Sequence, residues 1–135
     1  MTGDGLITVQ SRFGVTETID RLAEAVKRAG LVVFARIDHA AGARDVGASL
    51  RPTELLIFGN PRGGTPLMQD SQLAGIDLPV KALAWEDDQG KVWLSYNDPH
   101  WIAERHGLGD ASGAAVAAMA AGMEKVIAAA AGLAQ

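Results

Sequence analysis

Residues 80–96 read VKALAWEDDQGKVWLSY, and their pattern sets the structural class of the protein. Two runs of strand length, 80–86 and 91–96, flank Asp87-Asp88-Gln89-Gly90. That segment has the chemistry of a β-hairpin turn, with Gly90 free to take positive φ. Alternation sends Trp85 to one face and Glu86 to the other, with Tyr96 on the Glu86 side.

Outward from this hairpin, the apolar run 53–58 reads as a strand that Gly59-Asn60-Pro61 ends. Residues 31–38, rich in β-branched and aromatic side chains, form another. Residues 6–10 alternate, with Ile7 and Val9 on one face. After them Gly14 breaks the pattern and Thr16 reads as an N-cap. Val15, Ile19, Leu22, Ala23, Val26 and Ala29 then recur at helical spacing, opposite Asp20, Arg21, Glu24, Lys27 and Arg28. Gly30 stops this helix.

Residues 40–50 read either as a short helix or as a loop covering the sheet. Pro99 opens a helical turn that ends near Gly107. From Ser112 a long helix carries the seam Val116, Met119, Met123, Val126, Ala130 and Leu133, spaced alternately by three and four. A coiled coil is the rival, but the run is too short to favour it. The order β-α-β-β-β-β-α predicts an α+β domain: a single mostly antiparallel sheet with two main helices packed on one face. The other face is left for a cover such as a partner subunit.

The length, 135 residues, suits one domain, 1–135. With 48% hydrophobic and 21% charged residues it has a globular rather than a disordered composition. Having no cysteine, it has no disulfide, thiolate metal site or thiol nucleophile. The net charge is −4 and no basic stripe is present, which argues against nucleic acid as a partner. The start of the chain lacks a signal-peptide pattern. No apolar run approaches the ~18 residues of a membrane span, since Glu124 and Lys125 break the Ala-rich end. A cytoplasmic protein with no membrane partner is expected.

Residues 51–68, RPTELLIFGNPRGGTPLM, are the most informative for function. Gly59, Gly63 and Gly64 with Pro61 and Pro66 make a stiff polar bend after an apolar strand. Such a bend can aim backbone N–H groups at an anion, with Arg62 as counter-charge and Thr65 as hydroxyl donor. Gly59 and Gly64 are spaced as in a phosphate loop, yet Thr65 stands where the lysine belongs. A tight structural turn accounts for the same glycines and prolines.

Asp38-His39 closes the second strand, where His39 is placed as a metal ligand or a general acid–base group, or simply bonds backbone. The only other histidines, His100 and His106, are not spaced for one helical face, and no compact metal motif is visible. No metal is expected. Trp85-Glu86-Asp87-Asp88 is an acidic cluster that a solvated turn explains. Were Glu54, Glu86, Tyr96 and His39 to converge, they would form a small polar pocket. There is no nucleophile elbow.

Several segments together resemble a known family. They are Ile37-Asp38-His39, LRPTELLIFGNP at 50–61, GTPLM at 64–68, IDLPVKALAWED at 76–87, YNDP at 96–99 and Arg105-His106. They resemble the family catalogued as domain of unknown function 302. The resemblance implies a TATA-binding-protein-like β-α-β4-α fold and small bacterial proteins that often pair as dimers. It brings no established activity and leaves any cofactor unknown, and the likeness to a DNA-binding scaffold implies nothing about DNA. Carried onto this chain, the motif residues are Asp38, His39, Glu54, Asn60, Arg62, Thr65, Glu86, Tyr96 and His106.

The resulting expectation is a homodimeric module that binds a small molecule or ion between the 59–66 loop and His39. One alternative is an enzyme using His39 as acid–base group beside a carboxylate such as Glu86. The other is a homodimeric assembly domain with no ligand.

Overall fold

The computed structural model describes residues 3–133. The chain runs β1 (Leu6–Gln10), α1 (Val15–Arg28), β2 (Val32–Asp38), α2 (His39–Asp45) and β3 (Thr53–Gly59). It continues through α3 (Pro61–Asp70), β4 (Lys81–Glu86), β5 (Val92–Asn97), α4 (Pro99–Arg105) and α5 (Gly113–Ala131). Short 3-10 turns, Gln72–Asp77 and Asp110–Ser112, precede β4 and α5. The strands make one antiparallel sheet in the order β1-β5-β4-β3-β2. Consecutive strands β1 and β2 therefore stand at opposite edges, and α1 crosses the sheet between them.

The hairpin forms in the expected register, with Trp85 opposite Trp93 and Glu86 opposite Val92. Gly90 takes φ +80°, and the Asp87 carboxylate accepts the amides of Gln89 and Lys91, each at 2.9 Å. A left-handed residue after a tight turn matches the twist of the strands it joins.

One face of the sheet holds the core. Leu56 and Phe58 of β3, Ala82 and Ala84 of β4, and Leu94 and Tyr96 of β5 pack beneath Ile19, Leu22 and Val26 of α1. They also meet Met123, Val126, Ile127 and Ala130 of α5, and α1 lies alongside that helix. The buried stripe of α5 adds Ile127 and Ala131 to the expected seam, while Met119 and Leu133 stay half-buried. It is wider than a coiled-coil line because the helix beds on a sheet and a neighbouring helix at once.

Segment Asp110–Ala131 has the length and mean hydropathy, 1.5, to cross a membrane by composition alone. Here its Val116, Met123, Val126, Ile127, Ala130 and Ala131 are buried. The opposite sheet face is uncovered and carries Thr8, Leu55, Lys81, Leu83, Trp85 and Ser95. Its polar groups bond to one another: Thr8 with Ser95 at 2.8 Å, and the Trp85 indole N–H to the Ser95 hydroxyl at 3.0 Å.

Two local expectations need correction. Thr16 does not cap α1, whose N-cap is Gly14 in extended backbone, with no side-chain capping bond. The threonine lies inside the helix and bonds elsewhere. The 59–66 segment is not a free bend, because α3 starts at Pro61. Asn60 caps that helix, its side-chain oxygen accepting the Arg62 amide at 3.0 Å, and Pro61 supplies a first helical residue with preset φ. Residues 40–50 resolve as α2, capped by Asp38 through the Ala41 amide at 2.9 Å, followed by irregular chain.

Candidate functional site

Strand direction divides the candidate residues between the two ends of the sheet. Asp38, His39, Glu54 and Glu86 lie where β2 and β4 finish, whereas Asn60, Arg62, Thr65, Tyr96 and His106 lie where β3 and β5 finish. Asp38 pairs with Glu54 and Val32 with Gly59. The length of β3 between Glu54 and Gly59, roughly 17 Å, therefore separates the two groups. His39 and the 59–66 segment therefore lie too far apart to share one small pocket among the described residues, and Glu54, Glu86, Tyr96 and His39 do not converge.

At the β3 end lies a cavity of about 210 Å³. Phe34 of β2, Met68 of α3, Met119 of α5 and Leu78, Pro79 and Val80 before β4 supply its apolar walls. Gly59, Asn60, Pro61, Gly64 and Thr65 complete the lining. Among these, Asn60 and Thr65 are the polar side chains, and the Thr65 hydroxyl has no hydrogen-bond partner among the described residues. A Cβ at Gly64 would stand 3.7 Å from Leu78 Cδ1 and 3.9 Å from Met68 Cε, so the bare glycine keeps this wall open.

The expected anion loop is spent on the helix instead. The Arg62 amide goes to the Asn60 side chain, and those of Gly63 and Gly64 go to the Asn60 carbonyl at 2.8 and 3.0 Å. Pro61 has no N–H to offer. The space beside the segment is thus apolar rather than polar, and Arg62 is exposed outside its lining.

At the opposite end Glu54 is buried, its side chain 7% exposed, and is held by a cross-helix clamp. Thr16 donates its hydroxyl to Oε2 at 2.6 Å and Arg36 Nε donates to Oε1 at 3.0 Å. Arg36 also reaches Asp20 at 2.6 Å. Burial pulls the Arg36 pKa down, but the hydrogen bonds and charges of Asp20 and Glu54 outweigh it and raise the value. His39 begins α2 with an exposed side chain, and no hydrogen bond joins it to Glu86. Glu86 is half-buried opposite Val92, its backbone oxygen accepting Arg51 Nε at 3.1 Å.

Tyr96 and His106 have separate surroundings. Tyr96 faces the helices, opposite Ala82 and Ile7. His106 is tied to Asp77, Nε2 to Oδ2 at 2.6 Å, with its side chain 5% exposed. Arg105 adds bonds to both Asp77 oxygens at 3.0 and 3.1 Å. These contacts fasten the end of α4 to the 3-10 turn before β4. Among the described residues no three His, Cys, Asp or Glu side chains gather as a metal-ligand set. Phe34, Met68, Leu78 and Met119, which shape the cavity, carry no signal in sequence that distinguishes them from core.

The fold has counterparts. Residues 7–130 match the family described as "Domain of unknown function DUF302". The chain belongs to that family. A DUF302 crystal structure, that of an uncharacterized conserved protein from Bacillus stearothermophilus, aligns with a TM-score of 0.74. The alignment covers 95% of this chain and 96% of that one at 24% identity, and it shows a shared fold. Proteins named "Fluoride-specific ion channel FluC 1" from Brucella suis biovar 1 (strain 1330) and Brucella abortus biovar 1 (strain 9-941) are each 56% identical over 128 residues. These matches take in 95% of the DUF302 chain but 50% and 47% of the Brucella proteins. The chain thus spans about half the length of those curated relatives.

Proposed function

We propose that this DUF302 chain is a binding module for a small, largely apolar molecule. The observation that carries the reading is the cavity of about 210 Å³ beneath α3, walled by carbon and carrying Asn60 and the unpartnered Thr65 hydroxyl. Apolar cavities of ~150 Å³ hold benzene, so this volume suits a single ring or a short chain with one polar end. Four elements, β2, β3, α3 and α5, together with residues 78–80, build the walls.

The test is a titration of indole and of toluene into ¹⁵N-labelled protein. Saturable shifts at Phe34, Gly64, Met68 and Met119, lost in a folded Met119→Trp variant that fills the space, support the reading. Shifts spread over the open sheet face, or unchanged by Met119→Trp, overturn it.

In this reading, the conduction named for the Brucella relatives belongs to the further half of their length. Two features favour that division. The apolar helix Asp110–Ala131 is committed to covering its own sheet. The cavity walls also lack the converging donors or cations that an anion needs. The chain's lack of cysteine suits a reducing, cytoplasmic setting.

Pairing of two copies through the open sheet face is the second part of the proposal. Lys81 is the one charged residue lining the shallow groove on that face. Five strands of about six residues make a footprint near 500 Å² per copy, about 1,000 Å² in total, the lower limit for a specific interface.

A further inference from the structure

A second hollow, of about 350 Å³, lies on the other flank of α5, where β1, the end of β5 and the start of α4 meet that helix. It is independent of the apolar cavity and opposite to it in character. Ala120 and its small neighbours leave room above α5, and Tyr96, Asp98 and Glu124 share that space.

Tyr96 is 6% exposed, yet its hydroxyl has no hydrogen-bond partner among the described residues. Asp98 is 9% exposed; one carboxylate oxygen accepts the His100 amide at 2.9 Å and the other accepts nothing from them. Among the described residues, no side-chain nitrogen or oxygen fully shut off from solvent lacks a partner. These two oxygens are therefore reached by solvent, and both residues line the hollow. Each keeps acceptor lone pairs that no donor among the described residues uses, so a ligand bearing N–H groups can take the place of water there.

The three side chains offer acceptors and negative charge to one small volume. Burial first, then Glu124 and Asp98, raises the Tyr96 pKa, so the phenol stays neutral and its oxygen has lone pairs to share. Anions are repelled here. A divalent metal is poorly served, since no three-residue ligand set is present among the described residues and a neutral phenol is a weak ligand. An ammonium head, with a positive charge and N–H donors, meets every requirement. We propose that this hollow binds a small primary ammonium ligand, with Tyr96, Asp98 and Glu124 accepting its N–H groups. His100 stands at the rim with an exposed side chain, on the route the ligand takes.

The experiment titrates propylammonium chloride into the ¹⁵N-labelled full chain at neutral pH, with propanol and sodium fluoride as controls. Saturable shifts at the amides of Tyr96, His100 and Ala120 are expected with propylammonium alone. Glu124→Gln and Tyr96→Phe should each weaken binding about tenfold, the effect of one charge-assisted hydrogen bond. Glu124 is exposed, so its variant folds even if Tyr96→Phe does not. Shifts that do not saturate, an affinity unchanged by Glu124→Gln, or equal response to propanol or fluoride would each overturn the proposal. The apolar cavity is read from different amides, so the two readings succeed or fail separately.

Discussion

Thr16 donates its hydroxyl to Glu54 at 2.6 Å, joining the first turn of α1 to the start of a central strand. This bond explains two features together. Thr16 is unavailable as a helix cap, and Glu54 is a structural carboxylate, paired with Arg36, rather than an open site residue.

Replacing Glu54 by Ala should therefore destabilise the fold without touching ligand binding. Arg36 remains 34% exposed and can turn to water, which places the cost near the lower end of the range for charged hydrogen bonds, about 1.5–2 kcal/mol. A urea midpoint shift of that size, with indole affinity kept, is the expected result. Stability equal to the parent chain would show that the clamp contributes nothing.

The chain has one tyrosine, so its ionisation is read without ambiguity from ultraviolet absorbance. Burial is the leading cause of its raised pKa, followed by Glu124 and Asp98, so the midpoint should lie above the ordinary value near ~10. Glu124→Gln should lower that midpoint only in part, because burial is retained. A raised folded-state value contributes stability that is complete below the unfolded pKa. That stability is lost as pH rises through the folded one, so the variant should tolerate alkali differently from the parent. A midpoint at the free-tyrosine value would place the hydroxyl in open water and remove the second hollow with it.

The order of strands and helices was legible in the sequence because alternation, the Asp87–Gly90 turn residues and the α1 stripe all pointed to the same packing. The start of α3 was not. Gly63, Gly64 and Pro66 are poor helix formers, and the element forms because Asn60 caps it and Leu67 is buried against the fold. The candidate polar residues were also legible singly, but not their grouping. Strand direction, which sends His39 to one end and Asn60 to the other, follows from the β1-β5-β4-β3-β2 order, and no local pattern encodes that order. The cavity walls escaped notice because Phe34, Met68 and Met119 look like core in any reading of hydrophobicity.

Acid should act on the hairpin through Asp87. The Trp93 indole N–H bonds its carboxylate at 2.9 Å and is the main cause of its lowered pKa; burial, the next largest effect, opposes it, and the Lys91 and Gln89 amides and the Lys91 charge add to the lowering. A depressed folded-state value contributes stability present above the unfolded aspartate pKa, near ~3.9, and lost as pH falls through the lower folded value. Asp87→Asn should lose less stability than the parent between mildly acidic and strongly acidic buffer. Parallel loss in both chains would assign acid unfolding to other carboxylates.

The open sheet face predicts a weak, concentration-dependent dimer. Leu83 lies in the groove on that face, on β4 at the middle of the sheet, so a charge there should keep two copies apart. Light scattering should show the parent mass rising with concentration, and Leu83→Lys should remain a monomer with an unaltered fold. A parent chain that stays monomeric at every concentration, or a variant that associates equally, removes this face as the contact between copies.

His39 and Thr65 separate the ligand-binding reading from the one that sequence alone favoured. Roughly 17 Å of β3 stands between their ends of the sheet, so His39→Ala should leave indole affinity unchanged. Thr65→Val removes the free hydroxyl at the cavity while keeping its shape, so toluene affinity should hold. Affinity for phenol, which can bond that hydroxyl, should fall several-fold, in line with the ~1 kcal/mol of a neutral hydrogen bond. Equal losses for phenol and toluene would mean that the substitution deformed α3 rather than removed a contact. A loss on His39→Ala would mean that the ligand sits at the other end of the sheet.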